Sequence, residues 1–509
     1  MRSRFPTTVL ISCFVSLWLV FASRDAVGAE HEFHVAFPES IHAKPFTGRV
    51  YLFFSKDARK EPRFGPDWFR PEPFVALDVT DWKPGSPLTI HSTKTERLLA
   101  FPKPLADLEL EGLRVQAVAR FNPWERVIGN GAGNGFSEAR PVAEADATAA
   151  ADAKLLVIDH IVAPRKFEDT PSSKLLEVRS ERLSRFYSRD VAMRGCVTLP
   201  ASYEKSPERR YPVTFTIPGF GGTHVEGRRT SAIEESNERG VEFIRVVLDP
   251  SCPLGHHVFA DSANNGPVGT ALVTEFLPEL DRRFRTVAQP TARFLTGHSS
   301  GGWSSLWVQV TYPDVFGGTW STAPDPVDFR DFQRINLYQP GDNMYFTDAA
   351  GKELRPLARR GDQVALWYRD FDRMEDVLGP GGQLHSFEAV FSVRGDDGRP
   401  VRLWDRQTGK TDQAVAKTWE RYDIRLVLER NWSTLAPKLR GKLHVFMGDL
   451  DTFYLEGATK LLKESLAKLG SDAVVEIVPG KDHSTLYSPE LLRRIRAEMT
   501  AEFLRHHEP

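Results

Sequence analysis

Over residues 30–170, apolar side chains recur at every second position in short runs: Phe33, Val35 and Phe37; Val50, Leu52 and Phe54; Leu113, Val115 and Ala117. Successive side chains of a strand point to opposite faces, so these runs predict half-buried strands. Turn clusters such as Lys83-Pro84-Gly85, Asn130-Gly131 and Asn134-Gly135 separate them, and the whole predicts an antiparallel β-sandwich over 30–170. The Ala- and Asp-rich stretch 143–154 reads as a solvated loop ahead of one more strand over 155–162.

Beyond residue 171 the pattern changes. Residues 213–217, 243–248, 293–296, 443–447 and 474–478 are short, continuous apolar runs of the kind that a parallel sheet buries on both faces. Between them, Leu455, Ala458, Leu462, Leu466 and Leu469 share one helical face that ends at Gly470. A last helix opens at Ser488-Pro489 and turns Leu492, Ile495, Met499 and Phe503 inward. Strands alternating with helices predict an α/β unit over 171–509, a mostly parallel sheet flanked by helices. Residues 325–437 break the rhythm, because they are too long for a simple strand-to-helix connection. They carry Tyr345, Trp367, Tyr368, Trp404, Trp419 and Trp432, and read as an insertion. Either it is a surface element with its own small core or it caps an active site, and its place in the chain points to the cap.

Charge narrows the partners. The 509 residues hold 66 Lys and Arg against 68 Asp and Glu, a net charge of −2 and a pI near 6.7. Such a chain has no overall field for nucleic acid, and 41% hydrophobic with 26% charged residues excludes wholesale disorder. Met1-Arg2-Ser3-Arg4, an uncharged and largely apolar run to Ser23, and Ala26-Val27-Gly28-Ala29 have the layout of a secretory signal over 1–29. The mature chain would begin at Glu30 and be secreted or periplasmic, free of the membrane once cleaved; an uncleaved anchor is the competing reading. With Cys13 inside the leader, Cys196 and Cys252 remain, either as a pair or as two small buried hydrophobes.

The chemistry concentrates in four segments. Gly297-His298-Ser299-Ser300-Gly301 joins a buried strand to a helix, which is the setting of a nucleophile elbow with Ser299 at its apex. A serine hydroxyl needs a base, and the base needs a carboxylate to orient it. Gly448-Asp449-Leu450-Asp451 and Lys481-Asp482-His483-Ser484 each follow a buried strand, in the order Ser, Asp, His. His483 is the base. Asp451 is preferred to Asp449 as the acid, because the carboxylate in this turn stands three residues beyond the glycine. An oxyanion needs two aimed N–H groups. Ser300 supplies one, and the loop Pro218-Gly219-Phe220-Gly221-Gly222 the other, through Phe220 or else Gly221.

Tyr211-Pro212-Val213 leading to Pro218-Gly219-Phe220-Gly221-Gly222, then Phe276-Leu277-Pro278-Glu279-Leu280-Asp281, then Gly297-His298-Ser299-Ser300-Gly301-Gly302 resembles the esterase D family of α/β-hydrolases. That family includes feruloyl esterases, S-formylglutathione hydrolases, enterochelin esterases and related acyltransferases. The resemblance runs from about residue 171 to the C-terminus, the insertion excepted. It implies Ser299 as nucleophile, His483 as base, Asp451 as acid and Phe220 with Ser300 as the oxyanion pair. A sandwich ahead of such a domain resembles the enterochelin esterase layout. Pro218 departs from the family, which has His or another residue before the glycine, and the insertion has no counterpart in the short members.

His224, Asn264 and Asn265 lie in loops expected to border the pocket, as substrate contacts or as turn residues. His256-His257 and His506-His507 lack partners at ligand spacing, so no metal is expected. Gly379-Pro380-Gly381-Gly382 does not join a strand to a helix, so no nucleotide or other cofactor is expected either. The sequence thus reads as a secreted serine hydrolase cleaving carboxylic esters, small or carbohydrate-linked. An acyltransferase or a serine peptidase on the same fold is an alternative, although no propeller-like repeat accompanies it. A polysaccharide-binding or adhesion protein with a relic hydrolase domain is the non-enzymatic one.

Overall fold

An eight-stranded sheet organises the second half of the protein: β1 (Ser173–Arg179), β2 (Ala192–Thr198), β3 (Val213–Ile217), β4 (Ile244–Leu248), β5 (Arg293–His298), β6 (Gly318–Thr322), β7 (Leu443–Gly448) and β8 (Val474–Val478). Its order is β1-β2-β4-β3-β5-β6-β7-β8. The pairs β1/β2 and β2/β4 are antiparallel and all others parallel, which is the α/β-hydrolase sheet. This computed structural model describes residues 29–507 except 95, 149–152, 232–238 and 349. Cys13 and all of the expected leader but Ala29 lie outside the described residues.

The central strands are buried on both faces, which is why they read as continuous apolar runs. Phe215, Val246 and Leu295 pack with Phe276 and Leu280 on one face. Phe294, Trp320 and Phe446 pack on the other with Ile495 and Met499 of the last helix, Pro489–His506. The Ser488 hydroxyl accepts from the Leu491 N–H and caps that helix as expected.

Among the described residues, nine strands ahead of residue 162 form a second sheet, in the order Leu88–His91, Glu32–Ala36, Leu156–Ile161, Gly135–Ser137, Arg114–Ala119, Phe46–Ser55, Phe74–Trp82, Leu98–Phe101, with Arg140–Pro141 beside Arg114–Ala119. All pairs are antiparallel but one, Glu32–Ala36 with Leu156–Ile161. Val50, Leu52 and Phe54 face a core shared with Phe33, Val35 and Leu156. The 143–154 stretch contributes more than a loop: Asp146 is buried and takes the Glu32 N–H at 2.9 Å and the His31 ring at 2.6 Å.

The insertion between β6 and β7 holds a hairpin (Pro356–Arg360 with Gln363–Trp367) and the helices α2 (Tyr368–Leu378), α3 (Gln383–Phe391) and α4 (Ile424–Leu439), α1 being Ser300–Thr311. Its core is not its own. Phe371, Met374, Phe387 and Trp419 share one cluster with Tyr51 and Phe53 of the first sheet and with Trp303 and Trp307 of α1. Polar contacts fix the same seam: Tyr51 donates to the Leu378 carbonyl at 2.6 Å, and Arg49 to those of Asp376 and Val377 at 3.0 Å. These are the free carbonyls at the end of α2, where a cation or hydroxyl is favourable.

Candidate active site

Ser299 sits between β5 and α1 with φ 59° and ψ −127°, a strained conformation for a residue with a side chain. The flanking glycines make it attainable. A methyl on Gly297 would run into the Gly301 carbonyl oxygen, and one on Gly301 into that of Ile217. The Ser299 N–H donates to Thr322 at 3.0 Å, tying the turn to the end of β6.

The acid loop leaves β7 and the histidine loop leaves β8. His483 Nδ1 lies 2.7 Å from Asp451 Oδ2, and both side chains are buried. Asp451 also accepts the Phe453 N–H at 2.8 Å, so its carboxylate is held before any substrate arrives. Burial alone would lower the pKa of His483, but the charge and hydrogen bond of Asp451, together with the charges of Asp325 and Asp482, outweigh it and the net shift is upward. Asp449 points elsewhere, accepting the Gly480 N–H at 2.7 Å. The His298 ring lies tilted beside that of His483 with centroids 4.6 Å apart, and burial pushes its pKa down to about 3, so it is neutral.

Ser299 and His483 line one cavity of about 280 Å³ with Gly219, Phe220, Leu357, Phe371, Leu384, Phe387, Phe453 and Leu455. Gly219 is placed where a methyl would touch Ser299 Cβ at 3.4 Å, so the Pro218–Gly222 loop faces Ser299. His256 fixes that loop: its Nδ1 accepts the Val258 N–H at 3.1 Å and its Nε2 donates to the Pro218 carbonyl at 3.0 Å. Burial lowers its pKa to about 4 and keeps it in that neutral tautomer.

The other expected contacts lie apart from this cavity. His224 pairs with Asp249 at 2.6 Å and stacks on Phe167. Asn264 donates to the Ser392 carbonyl at 3.0 Å, and Asn265 faces Cys252. Cys196 and Cys252 are both free thiols. Among the described residues no group of His, Cys, Asp and Glu is arranged to hold a metal ion, and no helix is long and apolar enough to cross a membrane.

Several cavity residues carry no sequence motif, Trp68, Asp325 and Gln383 among them. Trp68 comes from the first sheet's loops and packs 5.6 Å from Phe220 and 5.1 Å from Phe371, centroid to centroid. Asp325, just past β6, accepts from Ser300 Oγ at 2.6 Å, and burial pushes its pKa up to about 6. Gln383 opens α3 and reaches the same hydroxyl at 3.2 Å.

The Esterase family model matches residues 188–485, more than half of the chain. The chain belongs to the Esterase family. It is an enzyme acting on carboxylic esters, in keeping with the esterase D resemblance of its motifs. Among solved structures, a ferulic acid esterase is similar at 16% identity over 65% of this chain and 99% of its own, with a TM-score of 0.40. An S-formylglutathione hydrolase from Agrobacterium tumefaciens gives 15% identity over 66% and 98%, with a TM-score of 0.38. FphF, a fluorophosphonate-binding serine hydrolase of Staphylococcus aureus, gives 14% over 66% and 99%, with 0.39. These values are too low to carry a substrate across. No curated protein matches the chain.

Proposed function

We propose that this esterase works through an acyl-enzyme on Ser299, with His483 as general base and Asp451 as its orienting acid. The observation that carries the reading is the 2.7 Å contact of Asp451 with His483 Nδ1, which leaves Nε2 as the nitrogen for chemistry, in a cavity that also holds the strained Ser299. Ser299 Oγ attacks the ester carbonyl carbon while His483 Nε2 takes its proton. The backbone N–H groups of Phe220 and Ser300 stabilise the oxyanion. Collapse breaks the C–O bond, and the alcohol leaves with the proton from His483. Water, deprotonated by the same imidazole, then releases the acid and restores Ser299.

The apolar lining suits a small acyl group, and the insertion serves as a cap that shapes the cavity through Leu357, Phe371 and Phe387. Residues 30–170 form the first, sandwich-like domain and 171–509 the catalytic one. The protein is exported by its leader, and the exported form should begin at Glu30. Purified wild type and Ser299→Ala are to be compared on acetyl, feruloyl and longer acyl esters. Hydrolysis by the wild type alone supports the reading, whereas equal rates would refute it.

A further inference from the structure

A second cavity, of about 550 Å³, adjoins the catalytic one and shares Trp68, Phe220 and Gln383 with it. Its walls come from three parts of the chain: residues 63–68 and 126–130 of the first sheet's loops, 374–383 of the insertion, and Phe220 beside the nucleophile. A substrate bonded at Ser299 can therefore place one part in each cavity, on the two sides of the Trp68–Phe220 contact.

Arg126 decides what the outer cavity can hold. Its guanidinium lies over the Phe220 ring, 4.8 Å from the centroid. Burial lowers its pKa, and Cys252, Asp249, Glu125 and Glu375 face it with opposing effects. Yet among the described residues it forms no ion pair and no side-chain hydrogen bond. Asp249 is committed to His224 and Ser251. The Glu375 carboxylate is turned to the start of α3, where it accepts the Leu384 and His385 N–H groups at 3.0 and 3.1 Å. Arg63, the other cation of this cavity, is spent on Glu61 and on the Gly129 carbonyl. The guanidinium is half-buried, held by the Phe220 ring alone, and its N–H groups still reach solvent, so an incoming anion can take the place of water there. The Gly379–Gly382 run makes room for this arrangement: a methyl on Gly381 would press on Arg126 Cγ at 2.9 Å.

We propose that the outer cavity takes the alcohol part of an ester bearing a carboxylate, with Arg126 as its counter-ion. This rests on the esterase reading above and names the substrate class of the same site. The test compares kcat/KM for 4-acetoxybenzoate and 4-acetoxybenzamide, which share an acyl group and differ in charge at the leaving group. Arg126→Gln should lower the ratio of anionic to neutral ester about tenfold or more, while Arg126→Lys keeps much of it. An unchanged ratio in Arg126→Gln overturns the proposal. Should that variant fail to fold, inhibition of the wild type by 4-hydroxybenzoate and 4-hydroxybenzamide reads the same preference: tighter carboxylate binding supports it and equal binding overturns it. If the wild type hydrolyses neither ester and Ser299 resists a fluorophosphonate, the esterase reading itself falls.

Discussion

Asp451 is buried and accepts from both His483 and the Phe453 backbone, whereas Asp449 spends its carboxylate on the exposed Gly480 turn. Asp451→Asn should therefore cost about 10⁴-fold in kcat through loss of the correct tautomer, and Asp449→Asn far less. Steady-state kinetics of the two variants checks this, and the reverse ranking would move the acid. The pH dependence has a definite sign. In the proposed mechanism the working imidazole is neutral, and the pKa of His483 is raised because Asp451, with Asp325 and Asp482, outweighs burial, so activity should fall as pH drops through that raised value. Asp325 also raises it once ionised, above about pH 6. Asp325→Asn should then move the acid limb of kcat/KM to lower pH; a limb that stays in place contradicts the coupling. The positions of Ser299, Asp451 and His483 beyond the ends of β5, β7 and β8 were legible because each follows a buried strand in a short motif-bearing loop. Trp68, Asp325 and Gln383 were not, since they reach the cavity from segments without local pattern and are joined only by tertiary packing.

Strands β3 and β8 coincide with their apolar runs, and β5 and β7 overrun theirs by one or two residues toward the site. Val50, Leu52 and Phe54 were legible as one face, but Tyr51 and Phe53 are equally buried on the other. A period-two reading assigns the second face to solvent, and here the insertion covers it. The hairpin at 356–367 shows the same long-range dependence. Arg359 donates from Nε to the Asp451 carbonyl at 3.0 Å and from Nη2 to Glu456 at 2.7 Å, while its N–H meets Thr452 at 2.8 Å. The insertion thus braces the acid turn from outside the motif. Arg359→Ala should lower kcat about ten- to hundredfold with a smaller change in KM, the size of one or two charge-assisted hydrogen bonds. A normal kcat in a folded variant would show that the turn holds itself.

Across the molecule, the insertion, the first sheet and the catalytic sheet share one apolar cluster that runs from Tyr51 through Phe371 and Trp419 to Trp303 and Val445. Deleting 325–437 should strip cover from both sheets, leaving a chain without a cooperative thermal transition by circular dichroism. A folded truncation that still cleaves an acetyl ester would show instead that the insertion is a detachable cap. The sequence marked this segment by its length and aromatic content, but composition does not say whether aromatics pack on one another or on a neighbour. These parts are proposed to converge on one nucleophile, which peptide-mapped labelling by a fluorophosphonate would identify. A single adduct on Ser299 is expected, absent in Ser299→Ala and strongly slowed in His483→Ala with folding intact. An adduct on another residue, or undiminished labelling of Ser299→Ala, would contradict it.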